Sequence, residues 1–235
     1  MNYKSKAISL IYIRQGNTSI ISKILTKEKG LQSFIVKGVR SKKAKKKLSY
    51  FEPLKLLNID AKYNAKKSLQ YLGEITILKR FNSVEKKIYR NFIAFFIAEV
   101  CSRVLQENEQ NKEIFEFLWS TTVELYSKQM VEKNFPLIFL LNLSRHLGFY
   151  PSSIDIKKPF FELESGTFSE EKNPLKTYLN KEESYHFKSL IKGEKTKIPM
   201  QNRSAFLKKI LYYYKAHHYN LEGVKSHTII ETLRP

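Results

Sequence analysis

The sequence predicts an α+β protein in two parts: a small closed five-stranded β-barrel over residues 1–80, then an all-helical domain over residues 81–235. Three observations carry this. Short alternating apolar runs separated by turn signals fill the first eighty residues, and after Arg80 the apolar period becomes that of helices. The charge divides along the same line: residues 1–80 hold 19 Lys and Arg against 4 Asp and Glu, a net of +15 out of +20 for the whole chain.

The strands follow in order. Ala7–Arg14 places Ile8, Leu10 and Tyr12 on one face and Ile11 and Ile13 on the other, so both faces should be partly buried. Gln15-Gly16-Asn17 is a turn, Ser19–Leu25 a second strand, and the segment ending at Gly30 another turn. Leu31–Lys37 is a third strand, Leu54–Ala61 a fourth entered through Pro53, and Ser68–Leu78 a fifth, bent at Gly73. Five strands in this length suit a barrel, because a sandwich ordinarily needs about seven.

The helical part begins with Ser83 as a cap for a helix to about Gln106, with Ile88, Phe92, Phe95, Phe96, Glu99 and Arg103 along the expected inward stripe. Glu113–Lys128 is a second helix, with Phe115, Leu118, Trp119, Thr122 and Tyr126 on its apolar side. Phe135–Leu147 is a third, with Pro136 in its first turn and Gly148 at its C-cap. Residues 149–166 carry two prolines and no helical period and read as irregular. Asn180 and Glu183 form a capping box for a helix stopping at Gly193; Asn202–Asn220 and Ser226–Leu233 complete the set.

A net charge of +20 and a pI near 9.8 imply a polyanionic partner, nucleic acid before an anionic membrane surface. Catalytic signatures are missing from the sequence. It contains neither GxxxxGK[ST] nor GxGxxG, and Asp occurs only at Asp60 and Asp155, so a carboxylate-metal nuclease centre would need to be built almost wholly from Glu. The five histidines lack ligand spacing, and Cys101, in an apolar run, reads as a small core residue. The chain is therefore read as a non-enzyme. One cysteine, a charged N-terminal stretch and no run long enough to span a bilayer point to a cytoplasmic protein.

The stretch "KGVRSKKAKKKLSYFEP", residues 37–53, packs Lys37, Arg40, Lys42, Lys43, Lys45, Lys46 and Lys47 into eleven positions with no acid before Glu52. A lysine run is commonly a solvated segment. Here strands bound it on both sides, Phe34, Ser41, Ser49, Tyr50 and Phe51 flank it, and its host is a barrel of a kind whose face and loops bind oligonucleotides. These features assign the cations to phosphate contact. They leave open whether Phe34 and Phe51 stack on bases or fill the core.

Taken together, the chain resembles the RecO family of recombination mediators. The likeness is carried by "AISLIYIRQGNTSIISKILTKEKGLQSFIVKGVRSKKAK", "YFEPLKLLNI", "FPLIFLLNLSRHLGFYP", the hairpin-like "FFELESGTF" and "AFLKKILYYYKAHHYNLEGVKSHTIIETL", in order over nearly the whole chain. The resemblance implies an N-terminal oligonucleotide-binding (OB) fold and a helical C-terminal domain. It implies binding of single- and double-stranded DNA, annealing of complementary strands, and cooperation with RecR in loading RecA onto strands coated by single-stranded DNA-binding protein. Lys37, Arg40, Lys42 and Lys43 fall where the family places DNA-contacting cations; Lys45, Lys46 and Lys47 are added on charge alone. Arg103 and Arg145 are candidates for gripping the acidic C-terminal tail of the single-stranded DNA-binding protein. The rival readings are an RNA-binding barrel protein of translation or RNA turnover and a helical adaptor tethered to nucleic acid.

Many relatives carry a four-cysteine zinc module after the Leu-Gly-x-x-Pro motif. Here Ser152, Ser153 and Ile154 stand in that place, and packing by Phe160, Phe161, Leu163 and Phe168 should hold the segment instead. Structural zinc takes about four ligands at short spacing, usually thiolates. Elemental analysis of the purified protein should accordingly find well below one zinc per chain, and a chelator should leave the melting temperature unchanged. One zinc per chain would overturn this.

Overall fold

The computed structural model describes residues 1–41, 44, 46–79 and 87–227. Lys42, Lys43, Lys45, the proposed cap Ser83 and all but the first two residues of the expected last helix lie outside them. By contact the chain divides into two compact units, residues 1–131 and those from Glu132 on.

The first unit is built on a closed barrel of β1 (Asn2–Gln15), β2 (Ser19–Thr26), β3 (Gly30–Val36), β4 (Leu56–Lys62) and β5 (Leu69–Ile77). The strands run in the order β1-β2-β3-β5-β4, with β3–β5 parallel and the other pairings antiparallel. The sequence-predicted barrel is present, with β1 beginning five residues earlier than its apolar run. Ile20, Ile24, Phe34, Val36, Leu57, Ile59 and Leu72 fill it. Both faces of β1 are buried from Ala7 to Leu10 because α1 (Lys87–Val104) packs on its outer side.

Two glycines set the barrel's geometry. At Gly73 the β4–β5 register slips, and a Cβ would lie 2.9 Å from the Asp60 carbonyl oxygen, so the glycine expected to bend the strand sits at a close backbone approach. Gly30, at φ +66°, turns β2 into β3, and a Cβ there would sit 1.9 Å from the Glu109 carbonyl oxygen. The segment after α1 is laced to this hairpin: the Asn108 amide donates to the Leu31 carbonyl at 3.0 Å, and the Ser33 hydroxyl donates to Glu107 at 2.7 Å.

The inward stripe of α1 differs from expectation. Ile88 and Phe95 are exposed, as is Arg103, while Ile93, Ala94, Phe96, Ile97, Ala98, Val100, Cys101 and Val104 are buried. Arg90, also buried, donates to the carbonyls of Lys128 and Gln129 and so ties α1 to the end of α2 (Lys112–Ser127). Asn111 caps α2, accepting from the Ile114 amide at 3.0 Å. Burial raises the Cys101 thiol far above its ordinary pKa, which keeps it protonated and inert.

The second unit holds α3 (Phe135–His146), β6 (Phe160–Glu162), β7 (Thr167–Ser169), β8 (Tyr178–Leu179), α4 (Lys181–Ile191) and α5 (Met200–Ala216). Gly148, at φ +86°, ends α3 as expected, and Asn180 with Glu183 forms the capping box of α4. The end of the segment read as irregular holds β6, which pairs with β7 as the hairpin expected at residues 160–168 and with β8 to complete a three-stranded sheet of order β7-β6-β8. Phe161, Leu163 and Phe168 are buried, and the Phe161 ring lies 4.9 Å from Phe168, 4.8 Å from Phe187 and 5.6 Å from Tyr213. Phe160 does not join them. It is only partly buried and lies under the ammonium groups of Lys172 and Lys181, at 4.6 and 5.7 Å.

The two glycines at positive φ on either side of β3 provide a controlled comparison. Gly38→Ala, with open space at its Cβ, should cost about 1 kcal/mol for the left-handed backbone alone. Gly30→Ala adds an overlap with backbone, which must move, and should cost at least about 3 kcal/mol. Denaturant unfolding of both variants measures the difference; equal losses would show that the Glu109 contact does not constrain the hairpin.

Candidate nucleic-acid interface

The basic stretch is pinned at both ends. On the β3 side, Val39 is 4% exposed and belongs to the barrel core, and Gly38 at φ +69° makes the turn that lets it point inward. The Arg40 amide donates to the Thr18 carbonyl at 3.0 Å, and its guanidinium reaches the Gly16 carbonyl at 3.4 Å. On the β4 side, a 3-10 helix at Leu48–Phe51 carries Phe51 fully into the barrel. Ser9 secures the exit: its hydroxyl donates to the Glu52 carbonyl and accepts from the Lys55 amide at 3.0 Å.

This anchoring settles the two aromatics left open by the sequence. Phe34 and Phe51 are both fully buried in the barrel core, so neither can stack on a base. Tyr50 and Leu48 are half-buried against the same core.

Of the candidate cations, Lys37, Arg40 and Lys47 are exposed, and no ion pair holds them among the described residues. Lys46 is half-buried and donates to the Leu72 carbonyl at 3.1 Å, which lays this part of the loop against β5. Lys37 and Arg40 leave the end of β3 together, while Lys46 and Lys47 lie at the loop's return. Lys42, Lys43 and Lys45 lie outside the described residues.

Arg103 and Arg145 are not shown as one site, for they lie in different units. Arg103 lines a groove of about 670 Å³ between β1 and α1, with Ile11, Ile13, Lys23, Pro53, Phe95 and Glu99 among its walls. Phe95 is 42% exposed at this groove. Arg145, at the end of α3, lies with its guanidinium carbon 4.2 Å from the centre of the Tyr150 ring.

The sequence reading missed Tyr71 and Lys62. They are directly opposed on β5 and β4, and Tyr71 is 61% exposed on the barrel exterior. Strand alternation could have found the tyrosine, but its neighbour Gln70 is buried against expectation.

Among the described residues no helix is long and apolar enough to cross a membrane, and no three His, Cys, Asp or Glu cluster as potential metal ligands.

Comparison with known proteins adds a second line of argument. The model for the Recombination protein O N-terminal region matches residues 1–81, and the model for the C-terminal region matches residues 85–226. The chain is 32% identical to the DNA repair protein RecO of Flavobacterium psychrophilum, over all of this chain and 98% of that one. It is 30% identical to the RecO of Flavobacterium johnsoniae, again over all of this chain and 98% of the relative. The RecO of Bacteroides fragilis is 33% identical over 72% of this chain and 70% of its own. With both family regions matched in order and the fold as the sequence predicted, this chain belongs to the RecO family.

Proposed function

We propose that this RecO-family DNA repair protein binds single- and double-stranded DNA through the loop at residues 37–47, without catalysing a covalent step. On this reading it anneals complementary strands and, with RecR, helps load RecA onto DNA coated by single-stranded DNA-binding protein. The observation that supports it best is the loop's anchorage. Val39 and Phe51 fix its ends in the core, so Lys37, Arg40, Lys46 and Lys47 are presented from a rigid base rather than from a free tail. Fixed ends reduce the ordering cost of binding. Contacts to phosphate carry no sequence information, which suits a protein that must act on any strand. We assign residues 1–80 chiefly to nucleic acid and residues 81–235, together with the β1 and β2 residues that line the Arg103 groove, to partner proteins.

Replacing Lys42, Lys43, Lys45, Lys46 and Lys47 by Ala is expected to weaken oligonucleotide binding by orders of magnitude. It should also flatten the plot of log affinity against log salt, since each lost phosphate contact removes roughly 0.7–0.9 from the slope. The melting temperature should hold, because Val39 and Phe51 keep their places. An unchanged salt slope would return the loop to a merely solvated segment.

For partner capture, the Arg103 groove offers what an acidic, apolar C-terminal tail requires: an apolar wall at Ile11, Ile13 and Phe95, with Lys23 and Arg103 beside it. Arg145, stacked on Tyr150, is the second candidate. Because α1 packs on β1, an isolated fragment from residue 81 would expose this core, so the test uses the whole chain. Calorimetry with a tail peptide should show salt-sensitive micromolar binding that Arg103→Ala weakens about tenfold. Loss in the loop variant but not in Arg103→Ala or Arg145→Ala would mean that the lysines, not a groove, capture the tail.

A further inference from the structure

The exterior of the barrel carries a continuous apolar row that the loop's charge does not explain. Ile13 on β1 is paired with Ile21 on β2, Ile21 with Ile35 on β3, Ile35 with Tyr71 on β5, and Tyr71 with Lys62 on β4. Residues directly opposed on neighbouring strands share a face, with Cβ atoms about 5 Å apart. This face is the outer one, because Ile20, Phe34, Val36, Gln70 and Leu72, which alternate with the row, are buried. Ile21 and Ile35 are half-buried, whereas Ile13 and Tyr71 are 58% and 61% exposed.

The Tyr71 end of the row has the character of a binding site. The ring borders a groove of about 620 Å³ whose walls include Asn2, Tyr3, Lys4, Asp60, Lys62 and Gly73. Gly73, two residues along the strand, offers no side chain to cover the ring. Cations surround it: Lys62 opposite, Lys46 on the adjacent Leu72 carbonyl, and Lys37 just beyond β3. Asp60 is the one carboxylate among the lining residues, and it lies 3.7 Å from the Lys4 ammonium, which offsets its charge.

We propose that Tyr71 is a base-stacking platform for an unpaired nucleic-acid strand, with Lys62 and Lys46 on the flanking phosphates and Ile35 and Ile21 continuing an apolar floor. The inference rests on the nucleic-acid reading given above and deepens it. Charge complementarity favours this occupant over a protein: the row lies within residues whose net charge is +15, and its most exposed member is an aromatic ring bordered by lysines. Single-strand binders combine these two elements, a basic track for the backbone and aromatic faces for the bases. A duplex, whose bases are already stacked on one another, cannot use the ring.

The test compares Tyr71→Ala, Tyr71→Phe, Lys62→Ala and the loop-lysine variant on a single-stranded oligonucleotide, its abasic counterpart and a duplex. Tyr71→Ala should weaken single-strand binding about tenfold, within the range alanine substitution gives for one stacked base. Its salt slope should stay that of the parent protein, because stacking displaces no counterions. Tyr71→Phe should bind normally, and Lys62→Ala should lower the single-strand slope by roughly 0.7. Duplex and abasic binding should be indifferent to Tyr71→Ala. Tyr71 is exposed, so an unchanged melting temperature should accompany the loss. Normal single-strand binding by Tyr71→Ala, alongside loss in the loop variant, would overturn the platform and leave the nucleic-acid reading standing. Unchanged binding in both variants would overturn both. Normal oligonucleotide binding by Tyr71→Ala with loss of RecR binding would assign the row to a protein instead.

Discussion

The arrangement of the basic surface depends on the burial of one side chain, Phe51. A stretch with seven cations in eleven positions repels itself, and left to its own electrostatics it would extend into solvent. Fully burying a phenylalanine contributes about 2–3 kcal/mol, enough to hold the returning end of the loop against that repulsion. The Ser9 hydroxyl completes the anchor by bridging the Glu52 carbonyl and the Lys55 amide, two backbone groups outside the strand pairings. Val39 does the same at the outgoing end. The barrel is therefore both the scaffold of the loop and, through the loop's two apolar plugs, partly filled by it.

The barrel was legible in the sequence because its strands alternate cleanly and its turns carry glycine at positions where the structure has positive φ, at Gly16 and Gly30. The bend at Gly73 was legible for a related reason, as a glycine inside a strand marks a close backbone approach. The inward stripe of α1 was not. That helix packs on β1 on one side and on α2 on another, so apolar residues occur around most of its circumference and the period loses its phase. Of the small sheet only the hairpin at residues 160–168 was legible, through its resemblance to a family element; strands of two and three residues are too short to show alternation by themselves. The charge of the candidate site could be read directly, whereas its aromatics could not. Nothing local distinguishes Phe51 in a core from Phe51 on a surface; the 3-10 helix that turns it inward decides.

Tyr71 shows how a buried polar residue can invert a pattern. Alternation by polarity would send Tyr71 inward and Gln70 outward, and the opposite occurs. The Gln70 side chain accepts from the Asn64 amide at 2.8 Å and donates to the carbonyls of Asn64 and Lys67 at 3.1 and 2.6 Å, closing the β4–β5 turn. Gln32 acts similarly beneath the β2–β3 turn, donating to the Lys29 carbonyl at 2.8 Å and to Asn108 at 3.2 Å. Each buried glutamine hydrogen-bonds its own amide to the backbone groups of the adjoining turn. Satisfying Gln70 inside the β4–β5 turn sets the strand's phase, and that phase puts the tyrosine on the surface.

The annealing role proposed above would constrain how such a surface holds DNA. Two strands must be retained long enough to meet and then released as a duplex, so the contacts cannot occupy the edges through which bases pair. Phosphate contacts meet that condition, and so does stacking, which uses the face of a base and leaves its pairing edge free. Direct hydrogen bonding to base edges would do the reverse, favouring some sequences and competing with the incoming strand. The exterior row answers to this constraint in its composition. Ile13, Ile21 and Ile35 have no side-chain donors or acceptors to offer an edge, Tyr71 presents a ring, and the polar groups at the row's end are lysines suited to phosphate. A surface of this kind gains affinity from any strand and loses its stacking contact once the bases find each other, so duplex formation itself weakens the hold on the product.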